Sequence, residues 1–337
     1  MKVKFFSTIF ILFFFEFANA QVPGTAIINN ALFAKFTMSV TVNSTSSITF
    51  KINAVGGVGR ITEVGVVYGI AKGLTTSSTL ARPSATSPTF GSRIATITYS
   101  GATSTTLTVL STSTTNSQGT TTFYVAPYYA KLYAIKNGIT YYGPEIEFLP
   151  NWPTQSQAGK TWVKANLGAL RVAESSTDTD SYGWYYNWGK PTDGHQFKNS
   201  SSSSTKFNGD TPTPGVYSGG DIVDWQNTRN NNLWNGVNGI NNPCPSGWRL
   251  PTKDEWVSFT GSISNTATAY SSNLKLPAQA GRDRRYTSDL SGKNTNNIYW
   301  SGDASNPTWT WAHYIGGLQN GAQAPTYGAA VRCVENQ

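Results

Sequence analysis

Between residues 48 and 53, apolar Ile48, Phe50 and Ile52 alternate with polar Thr49, Lys51 and Asn53, the period-two pattern of a strand with one face in a core. Residues 64–68, 94–99 and 106–110 read as further strands. Residues 123–135 and 139–148 read as two more, joined at Asn137-Gly138, the dipeptide that best accepts the positive φ angles of a type I′ hairpin turn. Ser/Thr/Gly stretches such as 111–122 fill the turns. Strands at this spacing over about 125 residues predict an all-β sandwich.

Beyond residue 150 the periodicity fades and one helix stands out. Thr252 and Glu255 have the spacing of a capping box, in which each side chain satisfies a free N–H at the helix start. A helix over 253–263 is expected, with Trp256 and Phe259 on one face.

Residue types divide at the same place. All 11 tryptophans, all ten aspartates, both histidines and both cysteines lie at or beyond position 151. Such segregation is unexpected for one fold with a shared core, so a domain boundary is placed at Leu149-Pro150-Asn151-Trp152-Pro153, where the paired prolines suit an extended linker. The predicted organisation is a sandwich over 21–149 and an α+β domain with little regular structure over 150–337.

Residues 1–20 read as an export signal. Lys2 and Lys4 precede an apolar run over 5–15, and Ala18-Asn19-Ala20 forms the small-residue cleavage site. The run is too short to span a bilayer, and no other apolar stretch approaches membrane length. No cysteine follows the cleavage site, which argues against a lipoprotein anchor. The expected location is the periplasm or the outer-membrane cell surface, where disulfides form. Cys244 and Cys333 are the only cysteines and are expected to pair.

Composition and charge narrow the function classes. Only 12% of the 337 residues are charged, whereas Ser numbers 35 and Thr 43; a charge-laced helical protein is excluded. The net charge of +8 does not point to nucleic acid, because the densest basic cluster, Arg282, Arg284 and Arg285, is interrupted by Asp283 and no helix carries a basic stripe. Before the boundary the exported chain has 8 basic and 3 acidic residues; after it, 15 and 13.

Two resemblances organise these observations. Gly65-Val66-Val67-Tyr68-Gly69, then Tyr128-Tyr129-Ala130-Lys131-Leu132-Tyr133-Ala134-Ile135-Lys136-Asn137-Gly138 and Tyr141-Tyr142-Gly143, resemble the fibronectin type III-like modules of Bacteroidetes surface proteins, which implies spacing or adhesion. In the second half, Trp162 with Asn166-Leu167 and Tyr182-Gly183-Trp184-Tyr185-Tyr186-Asn187-Trp188-Gly189 open another pattern. Cys244-Pro245-Ser246-Gly247-Trp248-Arg249-Leu250-Pro251-Thr252 with Glu255-Trp256 continue it. Leu276-Pro277-Ala278 with Gly281-Arg282, Tyr299-Trp300-Ser301 and Val331-Arg332-Cys333-Val334 complete it. In this order the segments resemble the Fibrobacter succinogenes major paralogous domain, which is similar to the C-type-lectin-like and formylglycine-generating-enzyme fold. The resemblance implies two small sheets, one or two helices and a disulfide near the C-terminus. Exported cargo of the Bacteroidetes type IX route ends in a dedicated sorting sandwich, whereas this sequence stops four residues after Cys333; a periplasmic protein, or one reaching the surface with a partner, is expected.

Chemistry is sparse. The two cysteines match the family's structural pair rather than reactive thiols. The Glu-Pro-Asn and Trp-Asn-Asp motifs of calcium-dependent lectins are missing. Asp178-Thr179-Asp180-Ser181-Tyr182-Gly183 begins like an EF-hand loop, but Tyr182 replaces the third oxygen ligand and Gly189 stands where the bidentate Glu belongs. Asp221 and Asp224 are candidates for an acid and base pair. His195 and His313 have no ligand partner at motif spacing. No nucleophile and base can be nominated together, so neither catalytic residues, nor a metal, nor a cofactor is assigned. Trp225, Trp234, Trp309 and Trp311 lie in polar, Gly/Asn-rich segments and, with Asp303 and His313, are the candidate ligand-binding residues. The expected function is non-enzymatic binding of a glycan or an envelope protein. The alternatives are an accessory subunit of an outer-membrane secretion or gliding complex, and a glycan-processing enzyme.

Overall fold

The structure is a computed structural model and describes residues 26–28, 35–55, 61–73, 93–97, 104–110, 117–120, 122–261, 263–279, 281–283, 290–291, 297–304, 310–315 and 321–336. The expected export signal at 1–20, Arg284 and Arg285 lie outside them. The described chain is mostly strand with few helices.

The N-terminal half carries β1 (Ala26–Ile28), β2 (Lys35–Ser44), β3 (Ser47–Val55), β4 (Ile61–Gly69), β5 (Arg93–Ile97), β6 (Ser104–Leu110), β7 (Tyr128–Lys136) and β8 (Ile139–Phe148). They form two antiparallel four-stranded sheets, in the orders β1-β2-β3-β6 and β5-β4-β7-β8. Alternation puts Ile48, Phe50 and Ile52 inward from one sheet and Val64, Val66, Leu132 and Ala134 inward from the other, all buried in one cluster. Phe50 meets Tyr68 at 5.5 Å and Phe148 at 5.9 Å between ring centroids. Asn137 and Gly138 take φ angles of 53° and 77°, the turn geometry that pairs Lys136 with Ile139.

The strand expected from residue 123 begins instead at Tyr128. Pro127 has no N–H to give a ladder. The preceding stretch turns to the C-terminal half, where Val125 donates to Ala169 O and accepts from Gly168 N, both at 2.8 Å.

The C-terminal half has short strands: β9 (Thr154–Gln157), β10 (Lys160–Val163), β11 (Tyr186–Asn187), β12 (Ser201–Ser203), β13 (Val216–Ser218) and β14 (Trp248–Arg249). Helices α1 (Lys253–Thr260) and α2 (Thr266–Ser271) follow. The remaining strands are β15 (Gly281–Arg282), β16 (Leu290–Ser291), β17 (Asn297–Ala304), β18 (Thr310–Ile315), β19 (Gly321–Gln323), β20 (Gly328–Ala329) and β21 (Val334–Glu335). The sheets run β14-β21-β10-β9, β11-β20-β15-β16, β17-β18-β19 and β12-β13. Helix α1 starts at the expected capping box, with Thr252 accepting from Glu255 N and Glu255 accepting from Thr252 N. It ends three residues earlier than 263, at a C-cap on Gly261. Helix α2, which the apolar pattern did not signal, is capped by Asn265.

Strands of two to four residues leave many buried carbonyls without a ladder, and indole N–H groups fill the gap. Trp188 donates to Ser301 O (3.0 Å), Trp225 to Trp188 O (2.8 Å), Trp234 to Lys190 O (3.2 Å), Trp256 to Trp300 O (3.2 Å) and Trp300 to Tyr186 O (2.7 Å). Each bond joins segments at least 37 residues apart. Cys244 and Cys333 are bridged, both buried, and tie the segment before β14 to the one before β21.

Residues 149–153 are not a solvated linker. Leu149, Asn151 and Trp152 are buried. Asn151 Nδ2 donates to Phe123 O in one half and Leu170 O in the other, at 2.9 and 3.2 Å. Trp152 packs edge-on against Trp248, and Tyr124 lies 5.2 Å from Trp184. One apolar cluster therefore runs through both halves.

Candidate functional site

Two of the four tryptophans predicted to form a binding face, Trp225 and Trp234, are interior. Trp225 is 1% exposed and Trp234 fully buried. Their local sequence is polar, but the carbonyls they satisfy belong to the distant Trp188 and Lys190. Asp303 accepts from Lys253 N at the start of α1, so it serves the helix terminus. Trp309 lies outside the described residues. Trp311 and His313 are in β18, in backbone register with Ala322 and Tyr299; their side chains lie outside what is described.

The EF-hand-like segment is filled by a guanidinium. Arg171 Nε and Nη2 each lie 3.1 Å from Asp178 oxygens, and Arg171 pairs with Asp180 and Glu174 as well. Asp180 also accepts from Ser117 N and Oγ across the junction. Among the described residues no group of three His, Cys, Asp or Glu side chains could hold a metal ion.

His195 is an interior structural group. Its Nε2 accepts from Asn187 N at 3.1 Å and its Nδ1 lies 2.6 Å from Asp193, which places the proton on Nδ1 toward the carboxylate. Burial lowers its pKa, partly countered by Asp193. Lys190 Nζ donates to Val216 O at 2.8 Å and lies over the rings of Trp225 and Phe207. Burial pulls its ammonium down to about 8, with Asp193 opposing.

Residues 207–242 bring the remaining polar groups together over this ring-lined floor. Trp234 stands 5.6 Å from Trp188 and 6.2 Å from Tyr186; Tyr186 contacts Trp184, which meets Tyr124 of the sandwich. The floor is thus continuous with the junction. Gly168 permits this packing: at φ +81° it lies so close to Trp184 that a Cβ would fall 2.1 Å from the indole.

Above the floor, Gln226 Nε2 donates to Gly209 O and Asp210 Oδ1, and Asn230 Nδ2 to Asp210 Oδ2. Asn241 Nδ2 bridges Gly189 O and Asp210 O, both at 2.8 Å. Arg229 lies over Trp188, 5.0 Å from its centroid, with Nη1 3.6 Å from Asp224 Oδ2. Burial raises the Asp224 pKa and lowers that of Arg229, while each opposes the shift of the other. Asp221 is exposed. Asp224 faces the Arg229 guanidinium.

The sequence reading passed over Arg229. One signal was present: it is the lone basic residue between Lys206 and Arg249, in a segment of Asn, Gly and Trp. The arrangement provides fixed hydrogen-bond donors and acceptors on a stiff aromatic base, suited to recognising a polar ligand. No helix among the described residues is long and apolar enough to cross a membrane. Comparison with models of known protein families matches the chain to none of them, and a search of curated proteins returns no match.

Proposed function

We propose that this chain is an exported, non-enzymatic protein of the cell envelope, in which a fibronectin-like sandwich presents a C-type-lectin-like domain of the Fibrobacter succinogenes major paralogous type that binds a glycan or a partner protein. The observation that carries the reading is the polar cluster of Asp210, Asp224, Gln226, Asn230 and Arg229, held on the buried floor of Trp188, Trp225 and Trp234. It offers recognition groups in fixed positions. The Cys244–Cys333 bridge supports an oxidising location. The ion pair of Asp224 with Arg229 weighs against a glycan-processing role. Glycan arrays and pull-downs from envelope extracts test the proposal. Capture of a defined glycan or envelope protein is expected; turnover of a substrate, abolished by Asp221→Asn or Asp224→Asn, would replace it.

A second reading, an accessory subunit docked on an outer-membrane assembly, draws on the packed junction at Asn151 and Trp152, which suits a spacer of set geometry. Co-purification with a membrane complex, together with protease resistance on intact cells, favours it over free adhesion.

A further inference from the structure

Five arginines have described side chains with little exposure, and four of them donate hydrogen bonds to protein oxygens. Arg282 reaches Phe197 O, Ser200 Oγ and Ser200 O. Arg332 reaches Val163 O and Leu274 O. Arg171 and Arg249 meet the carboxylates of Asp178 and Glu255. Arg229 is the exception. Its side chain is 7% exposed, and its Nε, Nη1 and Nη2 are all buried without a hydrogen-bond acceptor among the described residues.

A buried charge in that state is costly, and three features hold it there. The guanidinium lies over Trp188, Nη1 is drawn toward Asp224 at 3.6 Å, and the backbone at Arg229 sits in a turn closed by its neighbours. Asn230 N donates to Gln226 Oε1 and Asn232 N to Asn230 Oδ1, both at 2.9 Å. With Nη1 turned to Asp224, the Nε and Nη2 edge remains. Those two N–H groups point in parallel and match the two oxygens of a carboxylate. Two residues on, Asn231 Oδ1 is a buried acceptor without a donor, and Asp224 adds further acceptor capacity. The complementary ligand carries one carboxylate and several hydroxyl donors.

We propose that Arg229 is the receptor for a ligand carboxylate through its Nε and Nη2 edge, and that the ligand is an acidic glycan whose uronic acid residue supplies both that carboxylate and hydroxyls for Asn231 and Asp224. A peptide C-terminus has the carboxylate but too few adjacent donors. The turn over 228–232, which follows the backbone bonds tying 225–227 to Phe207 and is itself closed by side-chain bonds at Asn230 and Asn232, with Thr228 and Asn232 exposed, is the part that shifts to admit the sugar. This inference rests on the glycan-binding form of the proposed function.

The test is calorimetric titration of the full exported chain with oligogalacturonate, with a neutral galactose oligosaccharide of equal length, and with a peptide bearing a free carboxylate. Arg229→Lys and Arg229→Gln are run alongside, and their thermal midpoints are recorded. Expected are binding of oligogalacturonate at least tenfold tighter than of the neutral oligosaccharide or the peptide, and at least a tenfold loss in Arg229→Lys, which keeps the charge but loses the fork, with little change in midpoint. If Arg229→Gln unfolds, the ligand contrast in the native chain and the Arg229→Lys titration still decide. Equal affinity for neutral and acidic sugars, or acidic binding unchanged in Arg229→Lys, overturns the inference and leaves the glycan reading standing. Absence of binding to either sugar overturns both.

Discussion

The two halves of this protein meet the same requirement by different means. Every buried N–H and C=O needs a partner. The sandwich supplies them through ladders: β2 and β3 pair from Lys35↔Val55 to Ser44↔Ser47, and its apolar side chains have only to pack. The C-terminal half has strands as short as two residues, and indole N–H groups and buried guanidinium groups take over part of the bonding. Trp188, Trp225, Trp234, Trp256 and Trp300 are there both filler and hydrogen-bond donor. Regular structure tolerates exchange of one apolar side chain for another; an indole that holds a distant carbonyl does not share that tolerance.

That contrast is most strongly broken at the disulfide. Cys333→Ser, or reduction of the native chain, removes a crosslink spanning 89 positions and is expected to cost about 4.6 kcal/mol by loop entropy. Urea unfolding followed by indole fluorescence reads it directly, since the sandwich sequence has no tryptophan. An unchanged midpoint would show that the indole network suffices alone. Next, Phe50→Leu and Trp300→Phe each keep an apolar side chain of similar bulk. The first should cost about 1 kcal/mol. The second leaves Tyr186 O without its 2.7 Å donor and should cost about 2 kcal/mol; equal losses would remove the distinction between filler and donor.

Asn151→Ala probes the join. It deletes the two bonds at Phe123 O and Leu170 O, costs about 1–2 kcal/mol, and should split one calorimetric transition into two. Retention of a single peak would place the coupling in the apolar cluster instead. The smallest effect concerns acid. Glu255 accepts from Arg249 and from Thr252 N and pairs with Lys160; these partners hold its carboxyl down at about 2 against the burial that opposes them. Its folded pKa lies below the unfolded one, so its contribution is full above about pH 4.5 and fades as pH falls toward 2. Glu255→Gln should flatten that limb of a stability profile measured between pH 2 and 6, and an unaltered profile would count against the ion pair.

Legibility followed the range of the forces involved. Ile48, Phe50 and Ile52, the Asn137-Gly138 turn and the Thr252/Glu255 cap are set by neighbours within a few residues, and the sequence reading matched their structure. The strand at 139–148 is found with those bounds. The overreach at 123–127 came from apolar residues that serve the junction rather than the sheet. Helix α2 was missed because Thr266–Ser271 has no apolar stripe and depends on the Asn265 cap. Burial of Trp225 and Trp234 could not be read locally, since the groups that satisfy them are 37 and 44 positions away. Arg229 was hidden for the same reason: its position over Trp188 and beside Asp224 follows from the path of the chain between them.

The hairpin turn at Asn137 and Gly138 has a chemical consequence beyond geometry. Asparagine followed by glycine is the dipeptide most prone to cyclise and deamidate, because no side chain shields the attacking nitrogen. The same pair recurs at Asn208-Gly209, Asn235-Gly236 and Asn238-Gly239, within the polar loops around Asp210 and Arg229, and again at Asn320-Gly321. Each conversion adds a negative charge, and its isoaspartate form also lengthens the main chain by one carbon. The protein therefore ages unevenly: one lesion strikes the sandwich at a turn, while three of the other four gather where recognition is proposed to occur.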